Sequence, residues 1–136
     1  MAIKGYTKDE FPRVPIWELL GIEIVEMGSG QATLTMPYDE KLTNPYGAIH
    51  GSGLFALADS AVAAAIASII KKGKRFLTIE MKINYLAPVT GGIVEARAKV
   101  LREGRIVPGE VDVFNENKLV AKAIATYIIV DENKQS

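Results

Sequence analysis

Four residues in one short stretch carry groups suited to carbonyl chemistry: Asn44, His50, Gly51 and Asp59. Asp59 stands inside Leu57-Ala58-Asp59-Ser60-Ala61-Val62, a run that otherwise offers nothing to a charge. A carboxylate in apolar surroundings is costly unless it is hydrogen-bonded or used. Two plainer readings stand beside a functional one: the residue faces an opening at a sheet edge, or it bonds a nearby backbone amide. Gly51 lies where the apolar run begins, at the first turn of an expected helix. Its N–H points outward at the positive end of the dipole, and its missing side chain lets a ligand come close. Such a donor suits a developing oxyanion. Asn44, before Pro45, adds a neutral amide donor able to polarise a carbonyl oxygen, although an Asn in that position is more often simply a turn residue. His50 reads as an N-cap partner, a loop organiser or a proton carrier. Thr78 reads as a β-former on the polar face of its strand.

Spacing constrains how these groups act together. Gly51 and Asp59 are eight positions apart, which on a helix is roughly 12 Å along the axis. An oxyanion donor and an attacking group both have to lie roughly 3 Å from one reacting centre. If both act, they come from different subunits, so catalysis by this pair entails a homodimer with paired sites.

Composition removes other chemistries. The 136 residues suffice for one domain, 1–136, with 1–14 as an N-terminal segment and 131–136 as a polar tail. With 16 Lys plus Arg against 16 Asp plus Glu there is no general basic field, so nucleic acid is not an expected partner. The absence of cysteine excludes disulfides, thiolate metal sites and a Cys nucleophile. The single histidine excludes a two-His metal site within one chain, and His50 and Asp59, nine positions apart, are too distant to share an ion, so no metal is expected. Gly51-Ser-Gly-Leu-Phe-Ala56 nominally fits a dinucleotide fingerprint, but no strand runs into it and no parallel strand follows; no cofactor is expected. The G-x-S-x-G elbow of serine hydrolases is absent. The apolar run Leu54 to Ile70 contains Asp59, Ser60 and Ser68 and falls short of a bilayer span, so no membrane is expected. No apolar signal core opens the chain, so a cytoplasmic location is expected.

The elements that must position these residues follow from periodicity. Pro15 to Gly21 reads as a short helix opened by Pro and closed by Gly. Ile22 to Met27 and Gln31 to Met36 form a hairpin around Gly28-Ser29-Gly30. Residues 37–50 make a long polar loop. A helix runs from Gly51 to about Ile70, apolar on every side, with Lys71-Lys72-Gly73 as its cap; it has to be surrounded. Four strands follow, with Leu77, Ile79, Met81, Ile83 and Tyr85 on a dry face against Thr78, Glu80, Lys82 and Asn84. The same alternation runs through Val94 to Val100, Glu110 to Val113 and Ala121 to Tyr127, and Pro108-Gly109 predicts a bulge or a sheet edge. The class is α+β, an antiparallel sheet wrapped around one long helix.

Asn44-Pro-Tyr-Gly47-Ala-Ile-His50-Gly51-Ser-Gly-Leu-Phe-Ala-Leu-Ala58-Asp59 resembles the signature of the hot-dog-fold thioesterases of the phenylacetate-degradation type. Glu80 to Pro88 and Ala121 to Tyr127 resemble the family's later strands, so the likeness runs from about Trp17 to Val130. The resemblance implies a hot-dog fold, a homodimer whose subunits extend one sheet, and in many members a homotetramer. It also implies an acyl-CoA substrate, with Asp59 as general base or nucleophile. Asn44 and the Gly51 amide would hold the thioester carbonyl from the other subunit. Thr78 would help orient the nucleophile, and His50 would fix the loop and the thioester region. Ser52 stands where the family often has a second glycine after His-Gly. The rival readings are a hot-dog dehydratase or hydratase, which moves protons with a His, and an acyl-CoA-binding module without turnover.

Overall fold

Ten of the seventeen residues of the central helix, α2 (Gly51–Ala67), are buried, and a sheet curls around it. The computed structural model describes residues 5–131, so the ends of the predicted N-terminal segment and polar tail lie outside the described residues. A short helix, α1 (Pro15–Leu20), with Gly21 in the left-handed region as its C-cap, precedes the hairpin of β1 (Glu23–Gly28) and β2 (Gln31–Pro37). After α2 come β3 (Lys74–Tyr85), β4 (Ile93–Val100), β5 (Ile106–Asn115) and β6 (Lys118–Asp131). All neighbours pair antiparallel, in the order β1-β2-β4-β5-β6-β3, so β1 and β3 are the edges. This is the predicted α+β class. Asp131, assigned from sequence to the tail, ends β6 and pairs with Lys74 at 3.0 Å.

Alanine is what lets the sheet close on the helix. Ala96, Ala98, Ala121, Ala123 and Ala125 on the strands face Ala58, Ala61, Ala64 and Ala65 on α2, all buried. Gly109 takes this furthest: a Cβ there would stand 2.8 Å from Val62 Cγ1. The predicted bulge or edge at Pro108-Gly109 is corrected. β5 lies between β4 and β6, and its register with β6 is unbroken from Ile106 to Val113. The Pro108 carbonyl accepts from Leu101 N–H at 2.8 Å, just past the end of β4. A residue's N and C=O face the same neighbour in an antiparallel ladder, so the missing donor falls where β4 has already ended.

Three further expectations change. The helix ends at Ala67 with Ser68 as its cap, and Gly73, at φ 93°, belongs to the turn into β3 rather than to a helix cap. Ser68 Oγ bonds the Ala65 carbonyl and takes Gly30 N–H, which ends the helix against the hairpin turn. The helix is not covered on every side: Ser52 and Phe55 are exposed, and Asp59 and Ala63 are half-buried on the same stripe. The alternation assigned to β3 is also broken. Its register against β6 shifts between Thr78 and Glu80, with Ile79 as the extra residue. Before the shift Phe76 and Thr78 face α2, and after it Met81 and Ile83 do, while Leu77 and Ile79, placed on the dry face by period two, are about half exposed.

Candidate functional site

The bulge in β3 is what puts Thr78 beside Asp59. Thr78 pairs with Tyr127 of β6, and both side chains point at the helix. Tyr127 Oη donates to Asp59 Oδ1 at 2.6 Å and also lies 2.9 Å from the Asp59 carbonyl. Thr78 Oγ1 stands 3.0 Å from Oδ1 and 3.3 Å from Oδ2. The carboxylate on the apolar helix is therefore held by two hydroxyls, and Oδ2 is its freer oxygen. Burial pushes the Tyr127 phenol well above its ordinary range, and the neighbouring carboxylate pushes it further, so Tyr127 remains a proton donor. Tyr127 belongs to the site although periodicity marks it only as a core-facing strand residue. The available signal is that it ends the row Ala121, Ala123, Ala125 with a large side chain carrying a polar tip.

Asp59 opens onto a pocket of about 340 Å³, whose other walls come from the segment Phe11–Trp17, from Ala63 and from Phe76. Trp17 fixes α1 to the helix by donating from Nε1 to Ser60 Oγ at 2.8 Å.

Asn44, His50 and Gly51 gather at the other end of α2. The Asn44 side-chain oxygen accepts from Tyr46 N–H at 2.9 Å and Ala48 N–H at 3.2 Å, and its backbone N–H bonds the Ala48 carbonyl at 2.7 Å. The carbonyl of the side chain organises the loop, and Nδ2 has no partner among the described residues. His50 caps the helix. Its Nδ1 accepts from Ser52 N–H at 3.1 Å and lies 2.8 Å from Ser52 Oγ, which assigns the ring proton to Nε2. The serine in place of a second glycine thus serves the cap. The Gly51 N–H, the first of the helix, has no partner among the described residues.

The room beside Gly51 is not open to a ligand in the way its residue type suggests. A Cβ there would lie 3.2 Å from the Tyr85 ring, whose hydroxyl donates to the Gly51 carbonyl at 2.8 Å. Glycine here makes space for Tyr85, and the approach to its N–H runs along a cleft of about 430 Å³ shared with Asn44, Leu54 and Tyr85. The structure therefore brings Asn44, His50 and Gly51 together, and Asp59 with Thr78. It does not bring the two groups into one pocket of a single protomer. A larger cleft of about 540 Å³ lies beyond the C-terminal end of α2, between Ile70 and Ile129, and contains none of these residues. Among the described residues no group of three acidic or His side chains is placed to hold a metal ion, and no helix is long and apolar enough to cross a membrane.

One long helix with a six-stranded antiparallel sheet curled around it, with an acidic residue midway along the helix and free amide donors at its N-terminus, defines a hot-dog protein of the phenylacetate-degradation type. The Thioesterase superfamily matches residues 46–122, and the chain belongs to that family. Membership places it among the thioester hydrolases as a class. A thioesterase from Haemophilus influenzae superposes with a TM-score of 0.89 at 29% identity, covering 99% of each chain. The Escherichia coli PaaI protein of the phenylacetic acid degradation operon superposes with a TM-score of 0.81 at 28% identity, covering 87% of this chain and 86% of its own. The 1,4-dihydroxy-2-naphthoyl-CoA hydrolase of Listeria monocytogenes is 32% identical over 88 residues, 65% of this chain and 72% of that protein.

Proposed function

We propose that the protein hydrolyses an acyl-CoA or aryl-acyl-CoA thioester to the free acid and CoA, with Asp59 as general base. The observation that carries this reading is the hold on Asp59: two hydroxyl donors keep a carboxylate in place on an apolar helix and leave Oδ2 as its less tightly held oxygen beside an apolar pocket. In the reaction Oδ2 takes a proton from water as the water oxygen bonds to the thioester carbon. The carbonyl electron pair moves onto its oxygen, which is met by Asn44 Nδ2 and the Gly51 N–H. The intermediate then collapses, the C–S bond breaks, and the thiolate takes the proton from Asp59. Direct attack by Oδ2 would give the same products through an anhydride. It is distinguished by ¹⁸O from labelled water entering Asp59 rather than only the released acid in a single turnover.

The donors come from a second subunit in this reading. Two features support it: the separate clefts, and the part played by β3. That edge strand touches Asp59 near one end, through Thr78, and Gly51 at the other, through Tyr85. Antiparallel pairing of two β3 edges about a two-fold axis lays the Tyr85 end of one along the Thr78 end of the other. Leu77 and Ile79 on the same strand are about half exposed. Each dimer then has two sites, each with Asp59 and Thr78 from one chain and Asn44 and Gly51 from its partner; a homotetramer is two such dimers. His50, engaged at Nδ1 as the helix cap, supports a role in shaping the loop rather than the proton transfer of a dehydratase. The reading uses no cofactor or metal and has the cytoplasm as its compartment.

The test is thiol release from a panel of acyl-CoAs by the wild type and by Asp59→Asn. Turnover is expected to fall by several orders of magnitude in the variant while the folded state and substrate binding are kept. Equal rates in the two proteins, an enoyl product, or binding without turnover by the wild type would each refute it.

A further inference from the structure

Two clamps on α2 come from one strand. Thr78 of β3 reaches the carboxylate of Asp59 at 3.0 Å, and Tyr85, seven positions further on, reaches the carbonyl of Gly51 at 2.8 Å. Seven is odd, so in an unbroken strand the two side chains would point to opposite faces of the sheet. The extra residue at Ile79 removes that conflict. Thr78 stands opposite Tyr127 before the register shift, and Met81, Ile83 and Tyr85 stand opposite Ala125, Ala123 and Ala121 after it. These four partners on β6 are all buried, so Thr78 and Tyr85 share the inner face. An irregularity that interrupts the ladder is what lets one edge strand hold both Asp59 and Gly51.

Gly51 needs such a hold. The helix opens with Gly51-Ser52-Gly53, and two glycines leave the backbone of a first turn unusually free. The His50 ring fastens Ser52 by its N–H, and Gly53 sits under Ile49, where a Cβ would lie 3.2 Å from Cγ2. Neither contact reaches Gly51. Among the described residues Tyr85 supplies the one side-chain hydrogen bond to Gly51, and the three atoms nearest an added Cβ all belong to Tyr85. A donor meant for an oxyanion works only when it is already aimed at the place where charge develops. A misplacement of about 1 Å costs on the order of a hundredfold in rate.

We propose that Tyr85 is a positioning residue: its ring and hydroxyl hold Gly51 so that the free N–H faces the thioester carbonyl, and the bulge at Ile79 lets β3 set both halves of the site. This rests on the thioesterase reading above, with its site shared between two chains. Tyr85 acts through Gly51 and touches no reacting atom. It therefore serves the same half-site as Asn44 and Gly51 of its own chain, whereas Thr78 serves the half-site of Asp59.

The test is thiol release from a panel of acyl-CoAs by the full chain and by Tyr85→Phe, which keeps the ring at this half-exposed position and removes the hydroxyl. The expected result is a fall in kcat of about tenfold on every thioester that the wild type hydrolyses, with KM within about threefold. Amide hydrogen exchange at Ser52, Gly53 and Leu54 should quicken by about fivefold, with the rest of α2 unchanged. Mixed dimers give a readout that a loss of stability would not move. Tyr85→Phe with Asp59→Asn forms heterodimers that hold one fully intact site, so an equal mixture should reach about one quarter of wild-type activity. Tyr85→Phe with Asn44→Ala leaves a fault in every site, and that mixture should stay near about one twentieth. An unchanged kcat in Tyr85→Phe, or recovery with Asn44→Ala instead of Asp59→Asn, overturns this inference alone. A wild type inactive on every thioester, or no recovery when Asp59→Asn is mixed with Asn44→Ala, overturns the functional reading or its shared site, and this inference with it.

Discussion

Tyr127 Oη lies 2.6 Å from Asp59 Oδ1, joining the last strand of the sheet to the middle of the central helix at the carboxylate proposed to act on water. Tyr127→Phe removes this donor and keeps the ring. The expected result is a fall in kcat of about tenfold or more with little change in KM, because the orientation of Asp59 suffers and the ligand pocket does not. The loss of a hydrogen bond to a charged group should cost about 1.5–3 kcal/mol of stability. Steady-state kinetics and urea unfolding of the two proteins check both figures.

The same phenol makes stability depend on alkaline pH. Its pKa is raised in the folded state above the ordinary 10.0, first by burial and then by Asp59. Above pH 10 the unfolded chain releases the Tyr127 proton while the folded chain retains it. Its contribution is therefore complete below that pH and is lost as pH rises, with a slope approaching about 1.4 kcal/mol per pH unit. Urea midpoints for wild type and Tyr127→Phe, compared from pH 8.5 to 11, should converge as pH rises. A difference that stays constant across the range would contradict the assignment.

A shared site makes a quantitative prediction about mixed dimers. Asp59→Asn and Asn44→Ala proteins are each expected to be nearly inactive. A heterodimer of the two has one site with both groups intact and one with neither. Random mixing makes half the dimers mixed, so activity should recover to about one quarter of wild type. No recovery in mixtures whose heterodimers have been verified by mass spectrometry would place the whole site within one chain.

Packing between β5 and α2 is tight enough to be read by a single methyl group. Gly109→Ala would bring a Cβ within 2.8 Å of Val62 Cγ1 and 3.3 Å of the Lys99 carbonyl. Valine on a helix has little rotamer freedom to yield, so a loss of about 1–3 kcal/mol is expected. In a Val62→Ala background the same substitution should cost clearly less, and a double-mutant cycle of unfolding free energies measures the difference.

The Glu10 carboxyl titrates at about 2 rather than 4.5, held down first by its bond to Lys72 and then by the Thr7 backbone. The contact favours the folded arrangement above pH 4.5 and is lost as pH falls through about 2. An NMR titration of the Glu10 side chain should show this low midpoint, and Lys72→Ala should return it toward the ordinary range.

Much of the architecture was legible because burial has a period. The alternations in β2, β4 and β6, the Pro and Gly that bound α1, and the long apolar helix are all local patterns that a sheet closing on one helix satisfies together. Where two local signals competed, the tertiary context decided. Pro108-Gly109 reads as an interruption, yet β4 ends before the missing N–H is needed and Val62 needs the missing Cβ. The alternation through Leu77 and Ile79 reads as continuous, yet one extra residue at Ile79 inverts it.

The sequence by itself determined the fold class, the anomaly of Asp59 on an apolar helix, and the separation of Gly51 from Asp59 that a helix imposes. Those follow from residue type and from the fixed rise of the helix, which depend on nothing distant. Only the tertiary structure decided what holds Asp59, because Thr78 and Tyr127 are 49 positions apart in the chain and meet through the register of β3 with β6. It also decided that Gly51 is packed beneath Tyr85 and that the N-terminal segment walls the pocket beside the carboxylate. Such contacts depend on strand register and on side chains meeting across the core, and one residue of slip in β3 would have turned Thr78 away from the helix.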